Sequence, residues 1–81
     1  MKEHDFVIKV RTAARMTQLE VANALGYDSA QFISNIERGL CLLPNDKVRK
    51  FCVITKTSLL RFVRVKVMNG TRQIKREILG G

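Results

Sequence analysis

Between Thr17 and Gly39 the chain reads TQLEVANALGYDSAQFISNIERG, and this stretch limits the fold more than any other. Thr17 is placed to cap a helix, with Glu20 three residues later in capping-box register. Val21, Ala22 and Leu25 follow at helical spacing, so one face of that helix is buried. Gly26 stands where a helix-ending residue of positive φ is expected, since without a Cβ that conformation carries little strain. Asp28 and Ser29 offer oxygen caps to a second helix, which buries Ile33 and Ile36 with Phe32 at its margin and stops at Gly39. Ala30, Gln31, Ser34, Asn35 and Arg38 are left pointing away from the core.

Two helices joined by a short Gly-containing turn form the unit that sets its second helix in the major groove of DNA. Gln31 and Asn35 lie one turn apart on one face, and either amide can bond bidentately to adenine N6 and N7. A polar face turned to solvent has the same pattern, so these amides alone do not decide between the two readings.

Thr17, Gln18, Ala22 and Gly26, then Ile33, Ser34, Ile36, Glu37, Arg38 and Gly39, and finally Pro44 resemble the lambda repressor and Cro family of helix-turn-helix domains, also called the XRE family. The resemblance covers roughly residues 5–65. It implies an all-α fold, a compact lambda-repressor-like domain of five or six helices with the helix-turn-helix at helices 2 and 3. It further implies that Gln18 binds a phosphate while bracing the next helix, and that Ala30, Gln31 and Asn35 occupy base-reading positions. Ser34 lies beside them among the backbone contacts, and Arg38 matches a backbone-contacting position at the end of the recognition helix. An arginine at the place of Arg11 is implied to pair with Glu37, which makes Glu37 structural, because a carboxylate facing phosphates would repel them. Two departures stand out. The turn Gly26-Tyr27-Asp28-Ser29 is one residue longer than the usual family spacing, and Ala30 offers only a methyl group, suited to thymine.

A chain of 81 residues is expected to form a single domain, 1–81, with one modest core. An apolar run of the ~18 residues a membrane span needs is missing, as is a secretory signal, so a cytoplasmic, nucleoid-associated protein is expected. Cys41 and Cys52, eleven apart, lack the paired spacing of a zinc site and read as small reduced hydrophobes. His4 has no second ligand or nucleophile in a recognisable spacing. Paired carboxylates, a Cys–His pair and a phosphate loop are all missing from the motif region, so no enzyme, metal or cofactor is expected.

The net charge of +8 favours a polyanionic partner. It is unevenly spread: residues 1–46 hold five basic and six acidic side chains, residues 47–81 ten and one. The basic half is not the half with the recognition helix. It reads as a second phosphate-binding surface or as a solvated face around an oligomer core.

In chain order, residues 5–16 are expected to form a supporting helix that buries Phe6, Val7, Val10 and Ala14. Leu40, Leu42 and Leu43 are expected to tuck beneath the domain. Pro44 and Asn45 prepare a fourth helix, with Asn45 as cap and Val48, Phe51, Cys52 and Val53 on its buried side. Its N-terminus faces the DNA backbone in the family, where Lys47 adds a charge contact. A fifth helix over 57–69, capped by Thr57 or Ser58, buries Leu59, Val63 and Val67, with Phe62, Val65 and Met68 as a second stripe. A hairpin competes over 62–78, because Val63, Val65 and Val67 alternate with basic residues before Asn69-Gly70. The tail reads as a sixth helix capped by Thr71, and 57–79 becomes a C-terminal helical extension. Phe62, Val65, Met68, Ile74 and Ile78 are the residues expected at a twofold dimer interface, which would set two recognition helices ~34 Å apart.

The leading functional expectation is a sequence-specific regulator that binds double-stranded DNA as a homodimer through helix 30–38. The alternative is an antitoxin or other protein-binding adaptor on the same fold, gripping its partner through the basic C-terminal half. With no effector domain in sight, a small-molecule effector is not expected.

Overall fold

The computed structural model describes residues 1–70. Helix α1 (Glu3–Ala13) buries Glu3, Phe6, Val7 and Val10, a stripe at helical spacing. It starts two residues before the expected Asp5, with Glu3 and Asp5 in the first turn where the helix dipole favours carboxylates. It also ends earlier than Met16. Arg15 adopts φ +59°, and the Met16 N–H turns back to the Arg11 carbonyl at 3.2 Å, which closes the helix.

Helix α2 (Gln18–Ala24) is held at its start by both halves of the capping box. Glu20 N donates to Thr17 Oγ1 at 3.0 Å, and Thr17 N to Glu20 Oε1 at 2.8 Å. Gly26, at φ +92°, ends it, and Tyr27 N reaches back to the Ala22 carbonyl at 2.9 Å. Helix α3 (Gln31–Glu37) then runs to Arg38 and Gly39. Ala30, in right-handed backbone, occupies its cap position, and of the expected oxygen caps Ser29 contributes a long bond, its Oγ accepting from Gln31 N at 3.4 Å.

Helix α4 (Asn45–Thr55) is capped by Pro44 rather than by Asn45, which is instead its first residue. The extended ψ of Pro44, 140°, aims its carbonyl at Lys47 N, 2.9 Å away, so the backbone ladder begins one residue earlier than expected. In the preceding loop only Leu43 is buried, whereas Leu40 and Leu42 are exposed. Val53, expected on the buried side of α4, is exposed as well, because Val48, Phe51, Cys52 and Thr55 define its inner face.

Helix α5 (Leu59–Met68) settles the competition between helix and hairpin for residues 59–68. Ser58 holds its cap position without a side-chain bond, and Gly70 at φ +92° follows its end. The helix is rotated relative to the expected register. Its fully buried residues are Phe62 and Lys66, with Leu59, Val63 and Val65 partly covered and Val67 and Met68 open to solvent. Phe62 is therefore no interface residue of a free surface. Its ring meets those of Phe6 and Phe51 edge-on, with centroids 5.2 and 5.6 Å away. Ile74, Ile78 and the proposed sixth helix lie outside the described residues.

The described residues are thus all-helical, with α1 packed on α3, α4 and α5, α2 on α3 and α4, and α4 on α5. One core of thirteen apolar side chains, from Phe6 to Phe62, joins the five helices. Among the described residues, no helix is long and apolar enough to cross a membrane.

Candidate nucleic-acid interface

The geometry of α3 follows from which of its side chains the core claims. Ile33 and Ile36 are fully buried, and Phe32 packs beside them with its ring 4.6 Å from that of Tyr27. This leaves the opposite side of the helix to Gln31, Asn35 and Arg38. Gln31 Nε2 donates to Asn35 Oδ1 at 2.9 Å, so the two amides form one joined unit on the outer face. Gln31 keeps its Oε1 and a second amide hydrogen, and Asn35 keeps its own amide donors. Ser34 and Ala30 flank this pair and are half-buried. Arg38 sits at the C-cap, exposed.

Behind this face Glu37 fastens α3 to two other helices. Arg11 of α1 clasps its carboxylate with both fork nitrogens, Nε to Oε2 at 2.5 Å and Nη2 to Oε1 at 3.0 Å. A third guanidinium hydrogen goes from Nη1 to the Met16 carbonyl at 2.9 Å, so Arg11 also holds the α1–α2 turn. Gln18, the first residue of α2, donates from Nε2 to Glu37 Oε1 at 3.0 Å. One carboxylate therefore binds α1, α2 and α3 together. Gln18 keeps a second amide hydrogen for an outside acceptor.

Lys47, in the first turn of α4, reaches toward the same region by another route. Its ammonium group lies 5.6 Å from the centroid of the Tyr27 ring, which in turn stacks on Phe32 of α3. Desolvation is the main influence on the Tyr27 phenol and raises its pKa, with Asp46 and Cys41 adding to the shift. The turn, α3 and the start of α4 are in this way one connected surface.

The structure brings Gln31 to Asn35, and Gln18 and Arg11 to Glu37. It ties Lys47 to α3 only through Tyr27 and Phe32. The sequence reading missed the Tyr27–Lys47 link, although a tyrosine in the turn and a lysine just inside the next helix were both visible. It also missed the buried pair of Glu3 and Lys66. The available signal was a lysine one turn after Phe62, within an otherwise apolar stripe.

Among the described residues no group of three or more His, Cys, Asp or Glu side chains gathers in a way that could hold a metal ion. Cys52 is buried, and burial pushes its thiol up to about 11. No protein-family model matches the sequence, and no curated protein or solved structure matches it either.

Proposed function

We propose that this chain is a sequence-specific regulator of the lambda repressor and Cro type, which binds double-stranded DNA by inserting α3 into the major groove. The observation that carries the reading is the division of α3 into two faces. Its inner face is anchored by Ile33, Ile36 and the Arg11–Glu37–Gln18 cluster, while Gln31 and Asn35 stand joined on the outside. A recognition helix needs this combination, because base-edge hydrogen bonds discriminate only when their donors and acceptors are held in register.

In this reading Gln31 meets an adenine edge with Oε1 and its second amide hydrogen, and Asn35 both orients Gln31 and donates to a neighbouring base. Ala30 supplies apolar contact. Gln18, Ser34, Arg38 and Lys47 hold the flanking phosphates, and these contacts provide most of the affinity and its salt dependence. A homodimer would read two half-sites about one helical turn apart. Its contact surface on α5 would then use Met68 and the open edge of Val65, but not Phe62.

The test is selection from a random duplex pool at two salt concentrations, with the wild type and a Gln31→Ala, Asn35→Ala double variant. A palindrome enriched by the wild type and lost in the variant supports the reading. Salt-sensitive binding without any enriched sequence rejects it.

A second reading, a protein-binding adaptor or antitoxin, has its own observation. Residues 47–70 hold no acidic side chain and six basic ones besides the buried Lys66, and Val53, Leu60, Val67 and Met68 are exposed among them. Capture of partners with and without nuclease treatment separates it from DNA binding.

A further inference from the structure

A cleft of about 530 Å³ opens between the C-terminal half of α1 and the turn from α4 to α5. Its lining includes four cations, Lys9, Arg15, Lys56 and Arg61, and no acidic residue. None of the four is paired with a carboxylate of the described residues. Like charges gathered around a concavity repel one another unless an anion joins them.

The backbone makes the gathering more specific. Arg15 and Lys56 follow the ends of α1 and α4 at φ +59° and +55°, a conformation in which glycine is the unstrained choice. Both positions carry cations instead. Arg61 is steadied by the Phe6 ring, whose centroid lies 5.8 Å from the guanidinium carbon. Ala13 and Ile54 give the cleft an apolar floor, and Ser58 opens α5 without a side-chain bond to its own helix.

The cleft is also separate from the recognition face. Lys9 and Ala13 each lie two residues from Arg11, hence ~160° round α1 from the side chain that meets α3. A duplex on the outer face of α3 would not be expected to reach it.

We propose that this cleft binds a small organic anion bearing two or more phosphate charges, with the four cations around the phosphates and an apolar body against Ala13 and Ile54. The volume lies in the range of small-molecule sites, and cations and hydroxyls outnumber apolar side chains in the lining, as a phosphate-bearing ligand requires. The expectation of no small-molecule effector rested on the want of a separate effector domain, whereas this site is built within the domain. The proposal stands independently of DNA recognition by α3.

The experiment is amide-resolved NMR titration of the full chain with inorganic pyrophosphate, a nucleoside triphosphate, an acidic peptide and a short duplex, each at two salt concentrations. Saturable shifts confined to residues 9–15 and 54–61 with both phosphates are expected. The Arg15→Gly, Lys56→Gly variant removes two cations at positions where glycine relieves strain, so the fold is kept. Its affinity for both phosphates should fall about tenfold per cation removed. Shifts scattered over lysines across the surface, or unchanged affinity in the variant, overturn the site. A cleft that responds to the duplex or the peptide but not to the phosphates also overturns it, in favour of a nucleic-acid or protein contact.

Discussion

Lys66 donates from Nζ to both carboxylate oxygens of Glu3, at 3.0 and 3.1 Å, and both side chains are buried. The same ammonium bonds the Leu43 carbonyl at 2.8 Å, and Glu3 Oε2 accepts from Leu43 N at 2.8 Å. Three distant pieces of chain therefore close one ring of hydrogen bonds. Lys66→Met would leave a carboxylate buried without its cation, and the expected loss is ~3–5 kcal/mol of stability. Adding Glu3→Gln should recover part of that loss. Urea unfolding of the two single variants and the double provides the cycle, and strictly additive losses would show that the pair does not hold α5 in place.

Phe62 separates core packing from self-association. Because its ring fills the space between Phe6 and Phe51, Phe62→Ala should cost ~3–5 kcal/mol, and the loss should be the same at low and high protein concentration. Thermal melts over a hundredfold concentration range would reveal the opposite, a dimer contact, as a loss that grows on concentration.

Arg11 and Glu37 make a fork that lysine cannot copy. Arg11→Lys keeps the charge but gives up paired bonds to the carboxylate and the bond to the Met16 carbonyl, so a loss of ~1.5–3 kcal/mol is expected. Chemical denaturation measures it directly. A neutral outcome would mean that the paired fork adds nothing beyond a single charge contact to Glu37.

The helices α2 and α3 were legible because their signals are local. Capping by Thr17 and Glu20, the turn at Gly26 and the buried Ile33 and Ile36 depend on neighbours within a few residues, and all three features are present. The register of α5 was not legible for the opposite reason. Periodicity favoured Leu59, Val63 and Val67, but a buried lysine with a partner sixty-three residues away turned the helix to another face. Leu40 and Leu42 failed similarly. Their hydrophobicity indicated burial, yet the hydrogen bonds on Leu43 decide which leucine of the loop goes inside. Of the cleft's four cations only Lys56 and Arg61 belong to the basic half, and their meeting with Lys9 and Arg15 was not legible, because it depends on the ends of α1 and α4 approaching the start of α5.

On DNA, the Gln31–Asn35 bond predicts coupling. Either alanine substitution alone should cost ~1–3 kcal/mol on the selected sequence, and the double should cost less than the sum, because losing Asn35 already releases Gln31. Arg38→Ala should instead weaken binding to all sequences and reduce the salt slope by about one. Fluorescence anisotropy on specific and random duplexes distinguishes these patterns, and equal losses on both duplexes for Asn35→Ala would overturn the proposal that it reads bases.

Cys52 gives a pH signature. Burial raises its thiol from 9.0 to about 11, so the unfolded chain ionises it before the folded one does. The stability it contributes is complete below pH 9 and is lost as pH rises through 11, a change of ~2 kcal/mol. The stability of the wild type relative to Cys52→Ala should fall by this amount across that window. At pH 8 a thiol reagent should modify Cys41 well before Cys52, and parallel rates would contradict the burial.

The ring around Leu43 also has a direction in time. During synthesis Glu3 emerges first, and sixty-three residues must follow before Lys66 can answer it. At ordinary elongation rates that is a wait of roughly 3–13 s. Until then the carboxylate has no cation to accompany it into the interior, so the seat of α1 beside α5 is expected to close last. A nascent chain stopped just short of Lys66 carries all thirteen core side chains and lacks the charge that answers Glu3.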